Sequence, residues 1–289
     1  MSSGGFFSGL SAVCSRERHG KWLLAVHVGH QLHPESARWK EYCRTLGDTL
    51  DIEFVAETVM VDAGHGGGLE AAAREARYAA LAKHIGERDW LLSAHHRNDQ
   101  AETLLLNLMR GSGIEGLAGI PAVRKLGPGW VGRPLLDVER PELENWLRER
   151  ALEWLDDSSN ADVAFDRNYL RHEVFPLLER RWPGLAMRLA RTARHARQSA
   201  TAMAAFIGDR TGELMNDSIC LPIRALLDLD PAMRSLVLRE WLRRNELPAL
   251  PESRINEFLQ QLVGAESGRH AEVRWSGWTI RRYRDDLWL

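Results

Sequence analysis

The chain has 289 residues, of which 44% are hydrophobic and 27% are charged, and its formal net charge is −2. This balance is typical of a soluble globular protein, and at about 150 residues per domain the length predicts two domains. The near-neutral charge excludes a uniformly basic nucleic-acid-binding protein, and no apolar run reaches the roughly 18 residues of a membrane span. The N-terminus also lacks a secretory signal pattern, so we expect a cytoplasmic protein without membrane contacts.

Arginine and cysteine usage add two observations. Only four of the 38 basic residues are lysine, which fits either a GC-rich genome or phosphate recognition, because the arginine fork binds phosphate through two hydrogen bonds. The three cysteines are far apart and form no CxxC pair. This usage favours a reducing cytoplasm and argues against a zinc site or a disulfide framework.

The first part of the chain alternates between strand and helix patterns. Strands are predicted at 22–28, 52–59 and 90–95, and helices at 35–50, 69–85 and 99–110. Strands separated by helices of this length predict a parallel sheet with right-handed crossovers. Ligands of such sheets bind beyond the carboxyl ends of the strands.

After residue 136 the pattern changes to mainly helical. Helices are predicted at 142–150, at 168–208 with breaks at Pro176 and Pro183, and at 232–244, and short strands at 273–275, 278–280 and 287–289. We place the domain boundary near residue 205, which gives domains 1–205 and 206–289.

The N-terminal segment Ser3-Gly4-Gly5-Phe6-Phe7-Ser8 is the first candidate site. Small residues let backbone N–H groups approach a phosphate closely. A terminal tail without a ligand has the same composition, and both interpretations stay open at this point.

The segment from Ala94 to Thr103 is the second candidate and lies between a predicted strand and helix. Asp99 and Glu102 are three residues apart, so both carboxylates share the positive end of the helix. Together with His95 and His96 they could hold Mg²⁺ or transfer protons. The alternative is that these carboxylates only cap the helix.

Two arginine patterns complete the candidates. Arg74, Arg77 and Tyr78 occupy neighbouring helical positions that could face a polyphosphate, or form a solvated face with a Glu70–Arg74 pair. Residues 167–210 hold nine arginines against three acidic residues. In part of this segment an arginine recurs every three residues, at Arg188, Arg191, Arg194 and Arg197. These arginines form a stripe along one side of the predicted helix, which could follow a nucleic-acid backbone or face solvent.

In this order, these pieces resemble the tRNA(Ile)-lysidine synthetase family, a branch of the PP-loop (N-type) ATP pyrophosphatases. The most specific segments are HHRNDQAETLLLNLMRGSG at 95–113, GLAGIP at 116–121, RPLL at 133–136 and DDSSNADVAFDRNYLR at 156–171. The resemblance implies an α/β fold: a parallel-sheet, adenine-nucleotide α-hydrolase-like domain, followed by a smaller, mainly helical substrate-binding domain.

The resemblance also implies a reaction in two halves. ATP adenylates the C2 carbonyl oxygen of the wobble cytidine in an isoleucine tRNA with a CAU anticodon, and pyrophosphate leaves. The amine of free lysine then displaces AMP and forms lysidine. ATP and Mg²⁺ are the implied cofactors, and a homodimer is a further expectation.

Site residues follow from the matching motifs, position by position. The cytidine and lysine site is expected to use His95, Asp99 and Glu102, with Asp99 also as a metal ligand. ATP is expected to contact Ser3, Gly4, Gly5, Ser8 and His27. Binding of tRNA is expected to involve Arg74, Arg77, Arg167, Arg171, Arg188 and Arg191.

The chain departs from the family mainly in its ATP half. Phe7 stands where the SGGxDS loop has an aspartate, only two residues precede Ser3 where the family has a strand, and the helix after the loop is predicted to be short. Gly29 and Gln31 replace asparagine and glycine of an HVNHGL run, Asn98 replaces a second aspartate, and the further C-terminal domain of longer members is expected to be missing.

Three interpretations of these departures remain open: a working enzyme with an unusual loop, an impaired relative that still binds tRNA, or a displaced start site. A PP-loop enzyme acting on another base is a weaker alternative, because the DRN segment and GLAGIP are typical of the lysidine family.

Overall fold

The computed structural model describes residues 10–14, 23–30, 35–61, 68–152, 154–155, 162–215, 219–264 and 271–289. The chain divides into two compact units, 1–197 and 198–289. The domain bounds 1–205 and 206–289 stay a prediction. No helix in the described ranges combines the length and the apolar composition needed to cross a membrane.

The first unit contains a mixed sheet with helices around it. Its strands are β1 (Leu10–Cys14), β2 (Leu23–Gly29), β3 (Glu53–Thr58), β4 (Trp90–Leu92), β5 (Val123–Leu126) and β6 (Gly129–Gly132). Its helices are α1 (Ser36–Thr49), α2 (Gly68–Ala82), α3 (Arg97–Met109), α4 (Ile114–Leu117), α5 (Arg140–Glu149), α6 (Asp166–Tyr169) and α7 (Phe175–Arg181). A π-helical turn, Leu170–Val174, joins α6 to α7. The next helix, α8 (Leu185–Leu214), crosses the boundary between the two units at residue 197.

The strands of the sheet lie in the order β3-β2-β1-β4-β6-β5. β2 pairs with β3 in parallel and β4 pairs with β6 in parallel, whereas β1 is antiparallel to both β2 and β4. Consequently β2, β3, β4 and β6 all run in one direction. This confirms the predicted parallel arrangement for β2, β3 and β4, and β6 joins them as a fourth strand that was not predicted. The ends of the four strands meet at one edge of the sheet, which we call the carboxyl edge.

β1 is the main difference from the sequence-based expectation. We expected a short helix after the small-residue loop, yet Leu10–Cys14 forms a strand between β2 and β4. The physical reason is that two strands separated by a gap leave backbone N–H and C=O groups unpaired, at a cost that an inserted strand removes. Leu10 pairs with His27, so the chain enters β1 at the carboxyl edge.

The core of the first unit lies between the sheet and α2. β2 is buried along nearly its whole length, as expected for a strand covered on both faces. The buried cluster consists of Leu24, Val26, Val28, Ala80, Leu81, Ile85, Leu91 and Val131. This packing fixes the positions of the strand ends that carry the polar residues described below.

The second unit packs helices on a four-stranded sheet of order β7-β10-β9-β8, in which the neighbouring strands are antiparallel. Its elements are β7 (Cys220–Pro222), α9 (Ile223–Leu227), α10 (Pro231–Arg244), α11 (Glu252–Gly264), β8 (Glu272–Trp275), β9 (Trp278–Tyr283) and β10 (Asp286–Trp288). Trp241, Phe258, Ile280 and Leu287 lie at the centre of its core. The helix at 232–244 and the three C-terminal strands were predicted and are confirmed.

Candidate functional site

The carboxyl edge of the sheet gathers buried polar side chains from three strands. His27 and His30 come from the end of β2, Ser93 and His95 follow β4, and Arg133 follows β6, and each of these residues is at most 9% exposed. Buried polar groups are costly unless they are paired or used. Their collection at one edge indicates a functional site.

Asp99 holds the first turn of α3 in place. Its Oδ2 accepts the backbone N–H of His96 at 2.9 Å, and His96 Nδ1 accepts the backbone N–H of Asp99 at 3.3 Å, so the two form a reciprocal capping box. The capping interpretation that the sequence left open therefore applies to Asp99. It does not apply to Glu102, whose carboxylate points elsewhere.

Glu102 lies at the centre of a buried ionic network. Its Oε2 accepts Arg167 Nε at 2.7 Å and Arg171 Nη2 at 2.9 Å, and its Oε1 accepts Arg171 Nε at 2.8 Å. Asp99 Oδ1 accepts Arg167 Nη2 at 3.2 Å and lies 3.7 Å from Arg171 Nη2. We call Asp99, Glu102, Arg167 and Arg171 the carboxylate–arginine cluster. Both carboxylates are almost fully buried and both arginine side chains are 12% exposed.

The spacing of the two arginines explains the DRNYLR motif. Arg167 lies on α6 and Arg171 on the π-helical turn, four residues later, so both side chains reach the same carboxylate. Between them Asn168 is buried and donates to the backbone carbonyl of Asp162 at 2.9 Å. The DRNYLR motif therefore supplies both arginines of the ionic network and a buried asparagine that hydrogen-bonds to the backbone.

His95 at the carboxyl edge stays uncharged near neutral pH. Burial lowers the pKa of His95 to about 3; Asp99 opposes this effect, and the charges of Arg133, Arg167 and Arg74 act in the same direction as burial. Ser93 Oγ lies 2.6 Å from His95 Nδ1 and fixes the orientation of the ring.

His27 has a similar environment at the end of β2. Burial lowers its pKa to about 4, and the charges of Arg77 and Lys40, with the nearby His30, act in the same direction. Its Nδ1 is buried and has no hydrogen-bond partner among the residues that the structure describes. A donor or acceptor on a bound ligand would satisfy this atom.

The GLAGIP segment is fixed to α3 by a side-chain amide. Gln100 Nε2 donates to Ile120 O at 3.1 Å, and Ile120 N donates to Gln100 Oε1 at 2.5 Å. Gly119 has φ +62°, and a Cβ there would lie 2.4 Å from Gln100 Oε1. Only glycine fits this position. Arg197 donates to Ile120 O at 2.6 Å and also to Ala118 O.

The other predicted tRNA-binding residues lie outside the carboxylate–arginine cluster. Arg74 is exposed and lies over the ring of Tyr78, Arg77 is half-buried, and Arg188 and Arg191 are exposed on α8. Two predicted segments lie outside the described residues. One is residues 156–161, directly before the DRN motif. The other is the N-terminal loop with Phe7 and the predicted ATP-binding residues Ser3, Gly4, Gly5 and Ser8.

The described residues do not fit a resident Mg²⁺ ion. Across the described ranges, no three His, Cys, Asp or Glu side chains come together as a metal-binding group. Both oxygens of Asp99 already face N–H donors, Oδ2 the backbone of His96 and Oδ1 the guanidinium of Arg167. A cation next to two guanidinium groups would also be repelled.

Three residues of the site were not predicted from the sequence. Ser93 and Gln100 are common polar residues whose spacing carries no signal. Arg133 stood in the RPLL match without an assigned role.

Sequence comparisons agree with this geometry. The profile described as a PP-loop domain matches residues 3–178, and the profile described as a TilS substrate binding domain matches residues 221–288. The chain belongs to the PP-loop domain family. The PP-loop match includes the carboxyl edge and the carboxylate–arginine cluster, and the second match falls within the second compact unit.

Individual relatives carry both regions. The chain is 41% identical to the tRNA(Ile)-lysidine synthase of Alkalilimnicola ehrlichii over 92% of this chain and 59% of that protein. It is 35% identical to the enzyme of the same name from Coxiella burnetii over 97% of this chain and 62% of that protein. A third, from Xanthomonas campestris pv. campestris, is 37% identical over 92% and 61%. The chain spans less than two thirds of the length of these relatives.

Proposed function

We propose that this protein ligates lysine to the wobble cytidine of isoleucine tRNA in an ATP-dependent reaction. The observation that carries the proposal is the convergence of His95 and the carboxylate–arginine cluster at the carboxyl edge of a PP-loop sheet. The names of the relatives support the same reaction, and the match to a substrate-binding domain supports tRNA as the substrate.

The reaction has two balanced steps. The C2 carbonyl oxygen of the cytidine attacks the α-phosphorus of ATP, and pyrophosphate leaves with the electrons of the broken P–O bond. The neutral amine of lysine then attacks C2, AMP leaves with the former carbonyl oxygen, and the amine loses a proton. Both steps concentrate negative charge on leaving phosphates, which arginine N–H groups stabilise.

The geometry suggests distinct roles for the predicted catalytic residues. With a pKa of about 3, His95 is too weak a base to take a proton from an alkylammonium group, so we propose that its neutral ring positions a substrate by hydrogen bonding. Asp99 and Glu102 hold Arg167 and Arg171 close together. We propose that these arginines face the tRNA or the adenylated intermediate, and that the two carboxylates fix their orientation.

The remaining partners follow from the proposed reaction. Free lysine is the second substrate, and the location of tRNA implies work in the cytoplasm. A homodimer stays an expectation of the family resemblance. Mg²⁺ also stays such an expectation, and no step above depends on it.

Pyrophosphate release tests the proposal. The full chain is incubated with ATP, lysine and a transcript of isoleucine tRNA with a CAU anticodon. Release should require this tRNA and should fall to background with a transcript whose wobble cytidine is replaced by uridine. Release no higher than in a tRNA-free control would contradict the proposal. Salt-dependent tRNA binding without release would instead favour the impaired relative.

A further inference from the structure

Ser93 and His95 lie on the short segment between β4 and α3, and both ends of this segment are held in place. The backbone N–H of Ser93 donates to Gly132 O at 3.0 Å, which continues the β4–β6 pairing past the end of β4. At the other end, the extended residue His96 donates its backbone N–H to Asp99 Oδ2 at 2.9 Å. Side chains two residues apart on extended backbone point to the same side. The backbone therefore brings the Ser93 hydroxyl and the His95 ring together.

The contact between these two side chains is short and buried. Ser93 Oγ lies 2.6 Å from His95 Nδ1, and the two residues are 9% and 8% exposed. A neutral imidazole ring carries its proton either on Nδ1 or on Nε2, and the other nitrogen is an acceptor. His95 is neutral near pH 7 because burial lowers its pKa to about 3. The hydrogen bond at Nδ1 therefore decides what Nε2 can offer to a ligand.

The hydroxyl proton of Ser93 distinguishes the two tautomers of His95. Within the described ranges, His95 Nδ1 is the one hydrogen-bond partner of Ser93 Oγ. If Nδ1 carried the ring proton and donated it, the hydroxyl proton would have no acceptor there, and a buried donor without an acceptor is costly. If the hydroxyl donates to Nδ1, its proton is satisfied. This arrangement places the ring proton on Nε2.

Nε2 is the ring atom of His95 that is left for a ligand, since it makes no hydrogen bond to the part of the chain that the structure describes. The positive charges of Arg133, Arg167 and Arg74 act on the ring, and the negative charge of Asp99 opposes them. Such surroundings favour an electron-rich oxygen of a ligand over an ammonium group. An Nε2–H donor suits that oxygen, whereas an Nε2 acceptor would suit the ammonium group of lysine.

We propose that Ser93 is a positioning residue, whose hydroxyl donates to Nδ1 of His95 and holds the ring as an Nε2–H donor towards an acceptor oxygen of the substrate. The inference rests on the proposed function, in which the C2 carbonyl oxygen of the cytidine is adenylated and then leaves with AMP. That oxygen gains negative charge as it leaves, and a fixed N–H donor stabilises such charge. His95 contacts the substrate, whereas Ser93 acts through His95.

Long-range proton–nitrogen correlation spectra of the full chain, labelled with ¹⁵N-histidine, test the tautomer without any substrate. A protonated ring nitrogen and a bare one differ widely in chemical shift, and the variant His95→Gln identifies the His95 signals. Near pH 7 the unmodified chain should show His95 protonated at Nε2. Ser93→Ala should give shifts averaged over both tautomers. Ser93→Thr keeps the hydroxyl and should restore the single tautomer.

The rate of lysidine formation provides a second measurement. Ser93→Ala should lower kcat about tenfold, because the ring no longer holds one donor orientation, and should change the KM for lysine by less than about twofold. Ser93→Thr should recover most of the lost kcat. Ser235→Ala is the matched control, because Ser235 Oγ donates to the backbone carbonyl of Ala232 at 3.3 Å on α10. The control should keep the kcat and the His95 tautomer of the unmodified chain.

The outcomes separate this proposal from the proposed function. A His95 ring that is protonated at Nδ1 in the unmodified chain would overturn the proposal and make Nε2 an acceptor for an ammonium group. An unchanged tautomer or an unchanged kcat in Ser93→Ala would also overturn it. If Ser93→Ala fails to fold, as judged by circular dichroism, the unmodified chain and Ser93→Thr still decide the tautomer. An Nε2–H tautomer that depends on the Ser93 hydroxyl, in a chain that makes no lysidine, would support the positioning by Ser93 and contradict the proposed function.

Discussion

Replacing Glu102 tests whether the carboxylate–arginine cluster is assembled before any ligand binds. Glu102 accepts three hydrogen bonds of 2.7 to 2.9 Å from Arg167 and Arg171, and its side chain is 3% exposed. Glu102→Ala leaves two largely buried guanidinium groups with Asp99 as their remaining partner in the cluster. Breaking a buried ion pair from one side costs about 3–5 kcal/mol, and we expect a loss of that size in the free energy of unfolding.

Denaturant unfolding followed by near-ultraviolet circular dichroism measures this loss. Glu144→Ala is the control, because Glu144 also contacts two arginines, Arg140 at 2.8 Å and Arg148 at 3.3 Å, but on an exposed helix surface. The control should lose about 1 kcal/mol or less. Glu102→Ala and Arg171→Ala together should show a coupling energy above about 1 kcal/mol. A Glu102→Ala loss no larger than that of the control would refute a preassembled cluster.

Three further changes have defined expectations. Gly119→Ala should lower the free energy of unfolding by about 1–3 kcal/mol, because φ is +62° and the added Cβ meets Gln100. Gly113→Ala is the control, because nothing lies within 4 Å of its Cβ, and it should change the free energy of unfolding by about 0.5 kcal/mol or less. Denaturant unfolding measures both. His27 has its pKa lowered from 6.5 to about 4, so the unfolded state binds its proton first. The contribution of neutral His27 to the free energy of unfolding is complete above pH 6.5 and falls as the pH decreases towards 4, by about 2 kcal/mol at about pH 5. His27→Asn should therefore remove one proton from the pH dependence of the free energy of unfolding. Phe7→Asp should raise ATP-dependent pyrophosphate release relative to Phe7→Ala, and equal release would contradict a role for the missing carboxylate.

Local patterns predicted most of the elements because each carries its own signal. The apolar run before His27 indicates a buried strand, and Pro183 marks a helix break that the structure contains. The break predicted at Pro176 is wrong, because Pro176 lies in the first turn of α7 and the chain stays helical from residue 166 to residue 181. The strand Leu10–Cys14 could not be predicted in this way. Five small or apolar residues have no decisive period, and their strand conformation depends on the gap between β2 and β4, which is a property of the assembled sheet.

The candidate site shows the same division between local and long-range information. The spacing of Asp99 and Glu102 predicted a shared helix face, and the structure has both carboxylates in one cluster. Their arginine partners lie more than 60 residues away in the chain, so spacing alone could not distinguish metal binding from ion pairing.

Mass spectrometry of the tRNA product tests the proposed reaction most directly. Isoleucine tRNA with a CAU anticodon is incubated with the full chain, ATP and lysine, then digested to nucleosides. The expected product is a wobble cytidine that has gained one lysine and lost one water, formed only when both ATP and lysine are present. An unmodified wobble cytidine in tRNA that is bound by the folded protein under the same conditions would contradict the proposed function.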